Sequence, residues 1–268
     1  MIYYKHSIYV HGGKMEKIKV DNGQSFDFGK TSVEYAKYRN IYPDVLYDKL
    51  YELGVGVKRS SWLDLGTGTG EIPRGLAKHG ANIIATDISF EQIEQAKKLS
   101  SDFSNITYNA YAAEKIMFPD DYFDVITACQ CFWYFDPIII VEKIRRMIKP
   151  NGLFLKIYMS YLKEDPIASQ SHLLVKQLNP NWVGGSPAVQ DLKTHYFENP
   201  QMDSFIIDIP FTRESWHGRI KTCRGVLASM DNQTLKAFEE MHMTILNNFP
   251  DEFAVKHKVF LTYYKINK

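Results

Sequence analysis

Between Ser61 and Tyr158, apolar runs of strand length alternate with stretches whose apolar residues recur at helical spacing. Trp62-Leu63-Asp64-Leu65 is the first run and ends in glycines, as a buried strand does. Asn82-Ile83-Ile84-Ala85-Thr86, Ile106 to Tyr111, Asp124 to Cys131 and Leu153 to Tyr158 follow as further strands. The helices between them carry their own punctuation. Glu71 to His79 is closed by Gly80, with Pro73 tolerated in its first turn. Ser89 with Gln92 three residues on reads as a capping box. Asp136-Pro137 supplies a cap and a proline at the first helical position; Val141, Ile144 and Ile148 keep helical spacing as far as the stop at Pro150-Asn151-Gly152. Upstream, Thr31 to Leu53 is helical, with a Thr31–Glu34 capping box, a stop at Gly54 and a break at Asn40–Pro43.

Strands alternating with helices predict βαβ units and a parallel sheet covered on both faces. Past Tyr158 the pattern loosens. Leu162 to Pro200 is polar and carries Pro and Gly, which suits a cap over the sheet edge. Phe205–Phe211 and Phe260–Ile266 read as late strands, with helices at about Arg213–Met230 and Gln233–Asn248. The expectation is an α/β fold with a doubly wound, mostly parallel seven-stranded sheet. It has an N-terminal helical cap and a second cap inserted after the fifth strand, at about 159–203. Residues 1–30 read as an extension ahead of one domain at 31–268, with Met15 as a second candidate start.

Composition narrows the classes. Of 268 residues, 45% are hydrophobic and 24% charged, the balance of a globular protein that needs no disulfides to hold its core. The net charge of +1 disfavours a dedicated nucleic-acid binder. No apolar stretch approaches the roughly 20 residues of a membrane span, and Met1–Val20 lacks the apolar centre of a secretory signal. Cys129, Cys131 and Cys223 form no C-x-x-C, which fits a reducing compartment and a cytoplasmic protein. In an apolar strand, Cys129 and Cys131 read as small hydrophobes. The eight His lack ligand spacing, so no metal is expected.

The chemistry concentrates at Leu63-Asp64-Leu65-Gly66-Thr67-Gly68-Thr69-Gly70. Alternate glycines after a strand permit a tight turn and a close ligand approach. Ligands of open α/β sheets bind at the carboxyl ends of the strands, where this loop lies. Asp87, about 21 residues after Gly66 at the end of the second strand, can accept hydrogen bonds from ribose hydroxyls. A nicotinamide site wants G-x-G-x-x-G, yet position 71 is Glu71 and the third glycine comes one step early, at Gly70. Glu71 and Asp64 would oppose a pyrophosphate and suit a cationic ligand without phosphate. S-adenosylmethionine, with its ammonium and sulfonium, has that character.

Leu63–Gly70 resembles the first motif of class I S-adenosylmethionine-dependent methyltransferases, and Asp87 in Ala85–Ser89 resembles the second. Ala112-Ala113-Glu114 with Phe118-Pro119-Asp120-Asp121-Tyr122-Phe123-Asp124-Val125-Ile126 is similar to their A-E…F-P-D-x-x-F-D-V stretch. Arg145–Gly152 resembles the turn before their fifth strand, and Tyr35–Pro43 the Y-x-x-x-R-P-x-Y-P helix of the small-molecule type. The ordered match runs from Tyr35 to Tyr158; Asn40 and Asn151 depart from the usual Pro and Gly.

The resemblance implies cofactor contacts for Tyr38, Arg39, Asp64, Gly66, Thr67, Gly68, Gly70, Asp87, Ile88, Ala113, Glu114 and Gln130. Within that set, Arg39 would pair with the methionyl carboxylate, Asp87 would hold the ribose, Ile88 would face the adenine and Gln130 the methyl donor. Substrate candidates are Trp133, Tyr158, His217 and Arg219, with His217 or Tyr158 as the general base if one is required. The implied activity is in-line methyl transfer from S-adenosyl-L-methionine to a small-molecule acceptor, leaving S-adenosyl-L-homocysteine. The alternatives are a nicotinamide-dependent oxidoreductase or a non-catalytic S-adenosylmethionine-binding protein. A nucleic-acid methyltransferase is disfavoured, because the fourth strand ends Ala128-Cys129-Gln130-Cys131 without the N/D-P-P-Y/F or Pro-Cys of base methylation.

Overall fold

The computed structural model describes residues 18–268. Met15, the second candidate start, lies outside them. The chain runs α1 (Ser32–Tyr38), α2 (Asp44–Glu52), β1 (Ser61–Leu65), α3 (Glu71–Leu76), β2 (Asn82–Asp87), α4 (Phe90–Leu99), β3 (Ile106–Ala110) and β4 (Phe123–Cys129). It continues with α5 (Pro137–Met147), β5 (Ile148–Tyr161), α6 (Pro166–Leu178), α7 (Ser186–Leu192), β6 (Gln201–Thr212), α8 (Arg213–Lys221), α9 (Asn232–Leu246) and β7 (Glu252–Ile266).

One seven-stranded sheet has the order β3-β2-β1-β4-β5-β7-β6. β1 to β5 are parallel, and β7 lies antiparallel to both β5 and β6. The chain winds outward from β1 through β2 to β3, then crosses back to β4. The connections leaving the carboxyl ends of β1 and β4 therefore run in opposite directions, which opens a crevice at the switch point. Asp64 of β1 stands there in register with Thr127 of β4 and Ala85 of β2.

Two apolar layers sandwich the sheet. Leu63, Leu65 and Phe154 pack with Ile140, Val141 and Ile144 of α5 on one face. Trp62, Ile83 and Leu155 pack with Leu46 and Leu50 of α2 and Ile72 and Leu76 on the other. A third cluster joins Trp216, Phe238, Ile167 and Val175 from the helices to Ile209, Phe211 and Val255 of the long antiparallel strands.

Local expectations met three physical overrides. Thr31 does not cap α1: its hydroxyl donates to Phe28 O at 2.9 Å, so the Thr31–Glu34 capping box is not formed. α5 ends at Met147, and Ile148 already pairs with Phe123 as the start of β5, ahead of the Pro150–Gly152 stop. Asn151 does adopt the left-handed turn, at φ +61°. The helix expected over Arg213–Met230 ends at Lys221, because the chain then turns to deliver Arg224 to Asp21. β6 and β7 outrun the stretches expected for them. The added length of β7 carries Glu252 and Lys256 on exposed positions, as one-sided antiparallel strands do.

Two buried ion pairs fix segments that the residue pattern left open. Lys156, in the middle of β5, reaches Asp191 of α7 at 3.0 Å, and Tyr196 Oη donates to the other carboxylate oxygen at 2.7 Å. Asp21 is buried and accepts from Arg224 Nε at 2.5 Å and Nη2 at 3.0 Å. The segment before α1 is thus built into the fold rather than appended to it.

Candidate cofactor and acceptor site

Gly66, Gly68 and Gly70 all have left-handed backbone, at φ +63°, +56° and +76°. Two of them are bare because protein fills the space. A Cβ on Gly66 would stand 2.7 Å from Cys131 Sγ, and one on Gly70 would collide with the Tyr108 ring. Gly68 differs: the nearest atoms to such a Cβ are Gln92 Oε1 and Tyr35 Cε1, both at 3.9 Å. The loop therefore exposes open backbone at Gly68 alone among the three. Gln92 Nε2 donates to Phe28 O at 3.0 Å, while its buried Oε1 has no partner among the described residues. That carbonyl is an acceptor waiting for an N–H or O–H beside the open glycine.

The cavity at this loop is floored by Asp64 and Gly66 to Thr69. Tyr35, Arg39 and Tyr42 wall it from the N-terminal helices, Cys129 and Gln130 from the end of β4, Met159 from β5 and Arg219 from α8. Gln130 turns the chain out of β4 at φ +61°, its amide donating to Ile157 O at 2.9 Å and its side chain to Met159 O. This turn ends β4 at Cys129, two residues short of the expected Cys131. Arg39 stacks on the Tyr35 ring at 4.9 Å and donates through Nε to Thr222 Oγ1 at 3.0 Å.

The electrostatics favour a cationic guest on one side of the cavity. Asp64 is 1% exposed, and burial raises its pKa to about 6 despite the Thr127 hydroxyl, which donates to it at 2.5 Å. Glu71 also lines the cavity and is paired with Arg74 at 2.9 Å. Asp87 stands behind the loop. Its Oδ2 accepts from Gly68 N at 2.8 Å and its Oδ1 from Ser89 N at 2.9 Å, leaving each oxygen a free lone pair. Burial raises its pKa against those two bonds. Ile88 beside it is 78% exposed, an apolar side chain presented to a ligand or to water.

Several expected residues lie elsewhere. Tyr38 does not line the cavity; its ring packs against Gly218 and its hydroxyl donates to Glu214 at 2.9 Å. Ala113 is buried in the core, and Glu114 accepts the Asp136 amide at 2.8 Å, which ties it to the start of α5. Trp133 packs edge-on against Tyr158 at 5.7 Å, and the Tyr158 hydroxyl abuts Gly185 of the insertion, so neither lines the cavity. His217 faces His242, with Nδ1 atoms 3.0 Å apart, and stacks on Phe238. It lies among the helices rather than at the cavity and is corrected as a general-base candidate. Arg219 of α8 lines the cavity.

Sequence reasoning missed Gln92, Tyr42 and Met159, and it read Cys129 only as a core residue. Gln92 carried a signal, as the third residue after the Ser89 cap, but its side chain leaves the capping box to reach Phe28. Tyr42 meets Cys129 Sγ at 3.2 Å, a contact between segments far apart in the chain.

Comparison with known proteins agrees with this geometry. Residues 63–155 match the family model described as a methyltransferase domain. A Dictyostelium discoideum protein named as a methyltransferase is 34% identical over 125 residues, 47% of this chain and 46% of that one. A ubiquinone/menaquinone biosynthesis C-methyltransferase of Rickettsia massiliae is 28% identical over 218 residues, covering 68% of this chain and 88% of that one. A solved Anaeromyxobacter dehalogenans structure titled as a type II methyltransferase superposes with TM-score 0.58 at 20% identity, covering 85% of this chain and 97% of that one. The chain shares the fold of that solved structure, and the segment at residues 63–155 is similar to a methyltransferase domain. It spans about half the length of the first curated relatives it matches. Among the described residues, no helix is long and apolar enough to cross a membrane.

Proposed function

We propose that the protein binds S-adenosyl-L-methionine at the Gly66–Gly70 loop and transfers its methyl group to a small-molecule acceptor. The observation that carries this reading is the open backbone at Gly68, flanked by the unpartnered Gln92 Oε1 and backed by Asp87. Asp64 and Glu71 add carboxylates to the cavity where a pyrophosphate would be repelled. These residues fit a nucleoside with a cationic amino-acid tail. When bound, the cofactor supplies an electrophilic methyl on a sulfonium.

The residues of the chain then act by position. Asp87 accepts from the ribose hydroxyls, Arg39 pairs with the methionyl carboxylate, and Asp64 with Gln92 takes ammonium or hydroxyl donors. Gln130 and Met159, locked to each other, shape the wall past which the acceptor approaches. Alignment of this kind supplies most of what an in-line displacement needs. Burial keeps Tyr35, Tyr42 and Cys129 protonated at neutral pH, so none of them serves as a base. We read residues 18–268, the segment before α1 included, as one methyltransferase domain with its cap after β5, working in a reducing compartment such as the cytoplasm, where the three thiols stay free.

Calorimetry with S-adenosyl-L-homocysteine tests the binding, and transfer of radiolabelled methyl groups to a metabolite panel tests turnover. Binding of NADH in its place would overturn the reading.

A further inference from the structure

We propose that the acceptor is a small organic anion and that Arg219 of α8 receives its acidic group. The identity of this anion as the acceptor rests on the methyl-transfer reading above; its binding at Arg219 does not.

Arg219 is 6% exposed and lines the cavity, and its Nε has no hydrogen-bond partner among the described residues. Of the charged and ionisable groups, Arg39, Tyr161, Cys223 and Tyr35 act on it most strongly, and none of these is a carboxylate. Arg224, the other buried arginine of the same region, shows what a satisfied guanidinium looks like here. It holds both oxygens of Asp21, and it donates to Gly184 O at 3.0 Å and Tyr134 Oη at 2.8 Å. A guanidinium removed from water without an anion is costly, so such an arrangement persists where a ligand supplies the missing charge.

The acids of the cavity do not meet that need. Glu71 is committed to Arg74, and Asp64 is bound by Thr127 across the β1–β4 pair. Arg39 is a second cation in the same cavity, close enough for its charge to oppose that of Arg219. A methionyl tail brings one carboxylate and occupies one of the two arginines. The other is left for the acceptor, and a planar guanidinium takes a carboxylate or a phosphate in a paired, directional contact.

The test uses the whole protein, with and without S-adenosyl-L-homocysteine, at matched ionic strength. Thermal unfolding and calorimetry compare succinate and citrate with their neutral amides, and include inorganic phosphate as a separate arm. The expected result is that an acid, and not its amide, stabilises the protein in both conditions. Its affinity should fall about tenfold or more in Arg219→Met and less in Arg219→Lys. The affinity for S-adenosyl-L-homocysteine should stay unchanged in both variants. Without a bound anion, Arg219→Met should melt no lower than the parent, since it removes an unpaired buried charge. Stabilisation by phosphate alone would assign the site to phosphorylated acceptors, and stabilisation by the acids to carboxylates; either supports the anion site. The proposal is overturned if no anion acts better than its neutral control, or if the anion displaces S-adenosyl-L-homocysteine. It is equally overturned if Arg219→Met loses S-adenosyl-L-homocysteine. Failure of the parent to bind S-adenosyl-L-homocysteine would sink the methyl-transfer reading, while the cofactor-free arm still decides Arg219.

Discussion

The backbone amide of Gly68 donates to the carboxylate of Asp87 at 2.8 Å, so the acid after β2 braces the loop after β1. One side chain thereby fixes the loop and faces the ligand. Asp87→Ala removes both functions and should weaken S-adenosyl-L-homocysteine binding by about a hundredfold, because charge-assisted bonds are lost on two sides. Asp87→Asn keeps one acceptor oxygen and should fall between that variant and the parent. Calorimetry checks the order, and an unchanged affinity in Asp87→Ala would remove Asp87 from the site.

Gly68 and Gly70 should separate stability from binding. Both have left-handed backbone, so alanine strains either. At Gly70 the new methyl also meets the Tyr108 ring, whose hydroxyl is bonded to Ser100 at 2.9 Å. Gly70→Ala is expected to lose about 2 kcal/mol or more of stability in denaturant unfolding. Gly68→Ala has room and should lose roughly 1 kcal/mol, yet it should abolish detectable cofactor binding by filling the approach. Equal effects of the two changes on both readouts would contradict a ligand over Gly68.

Asp64 sets a pH dependence of binding. Burial raises its pKa to about 6, so it is mostly ionised at pH 7 and mostly protonated at pH 5. A cationic guest prefers the ionised form, and affinity for S-adenosyl-L-homocysteine should fall about tenfold between those pH values. Asp64→Asn should bind weakly at both and flatten the profile. A profile unaltered by that substitution would place the titration elsewhere.

Fold stability should fall on acidification for a different reason. Burial lowers His172 and His257 to about 4 and His242 to about 3. The unfolded chain takes up protons on these residues near the ordinary histidine pKa of about 6.5, and the folded chain does not. Their contribution is therefore complete above about pH 6.5 and is lost as pH falls toward 4. Asp64, Asp87 and Glu71, raised by burial, act in the opposite sense, and His217, lowered by burial, adds to the histidines. Melting temperature measured from pH 7.5 to 4.5 should drop, and the slope should lessen in His242→Gln. A melting temperature that stays flat over that range would contradict the burial of these imidazoles as neutral groups.

Lys156 and Asp191 pair at 3.0 Å with both side chains almost wholly buried. Breaking the pair by Asp191→Asn or Lys156→Met should each cost about 3–5 kcal/mol, since one buried charge is left alone. The double variant should recover part of the loss. Chemical denaturation of the four proteins closes the cycle, and additive losses would show that the two groups do not couple.

The residue pattern was enough for the strands of the parallel half, for the Ser89 and Asp136 caps and for the glycine turn with its acid. Each of these depends on a backbone preference or an apolar period that neighbouring residues carry by themselves. It was not enough for the ends of β6 and β7, whose charged outward positions mask the alternation, nor for the helix expected over Arg213–Met230, which a distant carboxylate at Asp21 cuts short. The site divides in the same way. Gly66 to Gly70, Asp64 and Asp87 are marked in the chain because one turn and two strand ends create them. Tyr38, His217, Trp133 and Tyr158 have suitable chemistry but point into packing, and nothing in their neighbours distinguishes that from a cavity wall. Only the assembled fold brings Arg219 beside Arg39, frees Gln92 Oε1 next to Gly68 and sets Tyr42 against Cys129. These are meetings of remote segments, decided by how helices pack on the sheet rather than by any local sequence period.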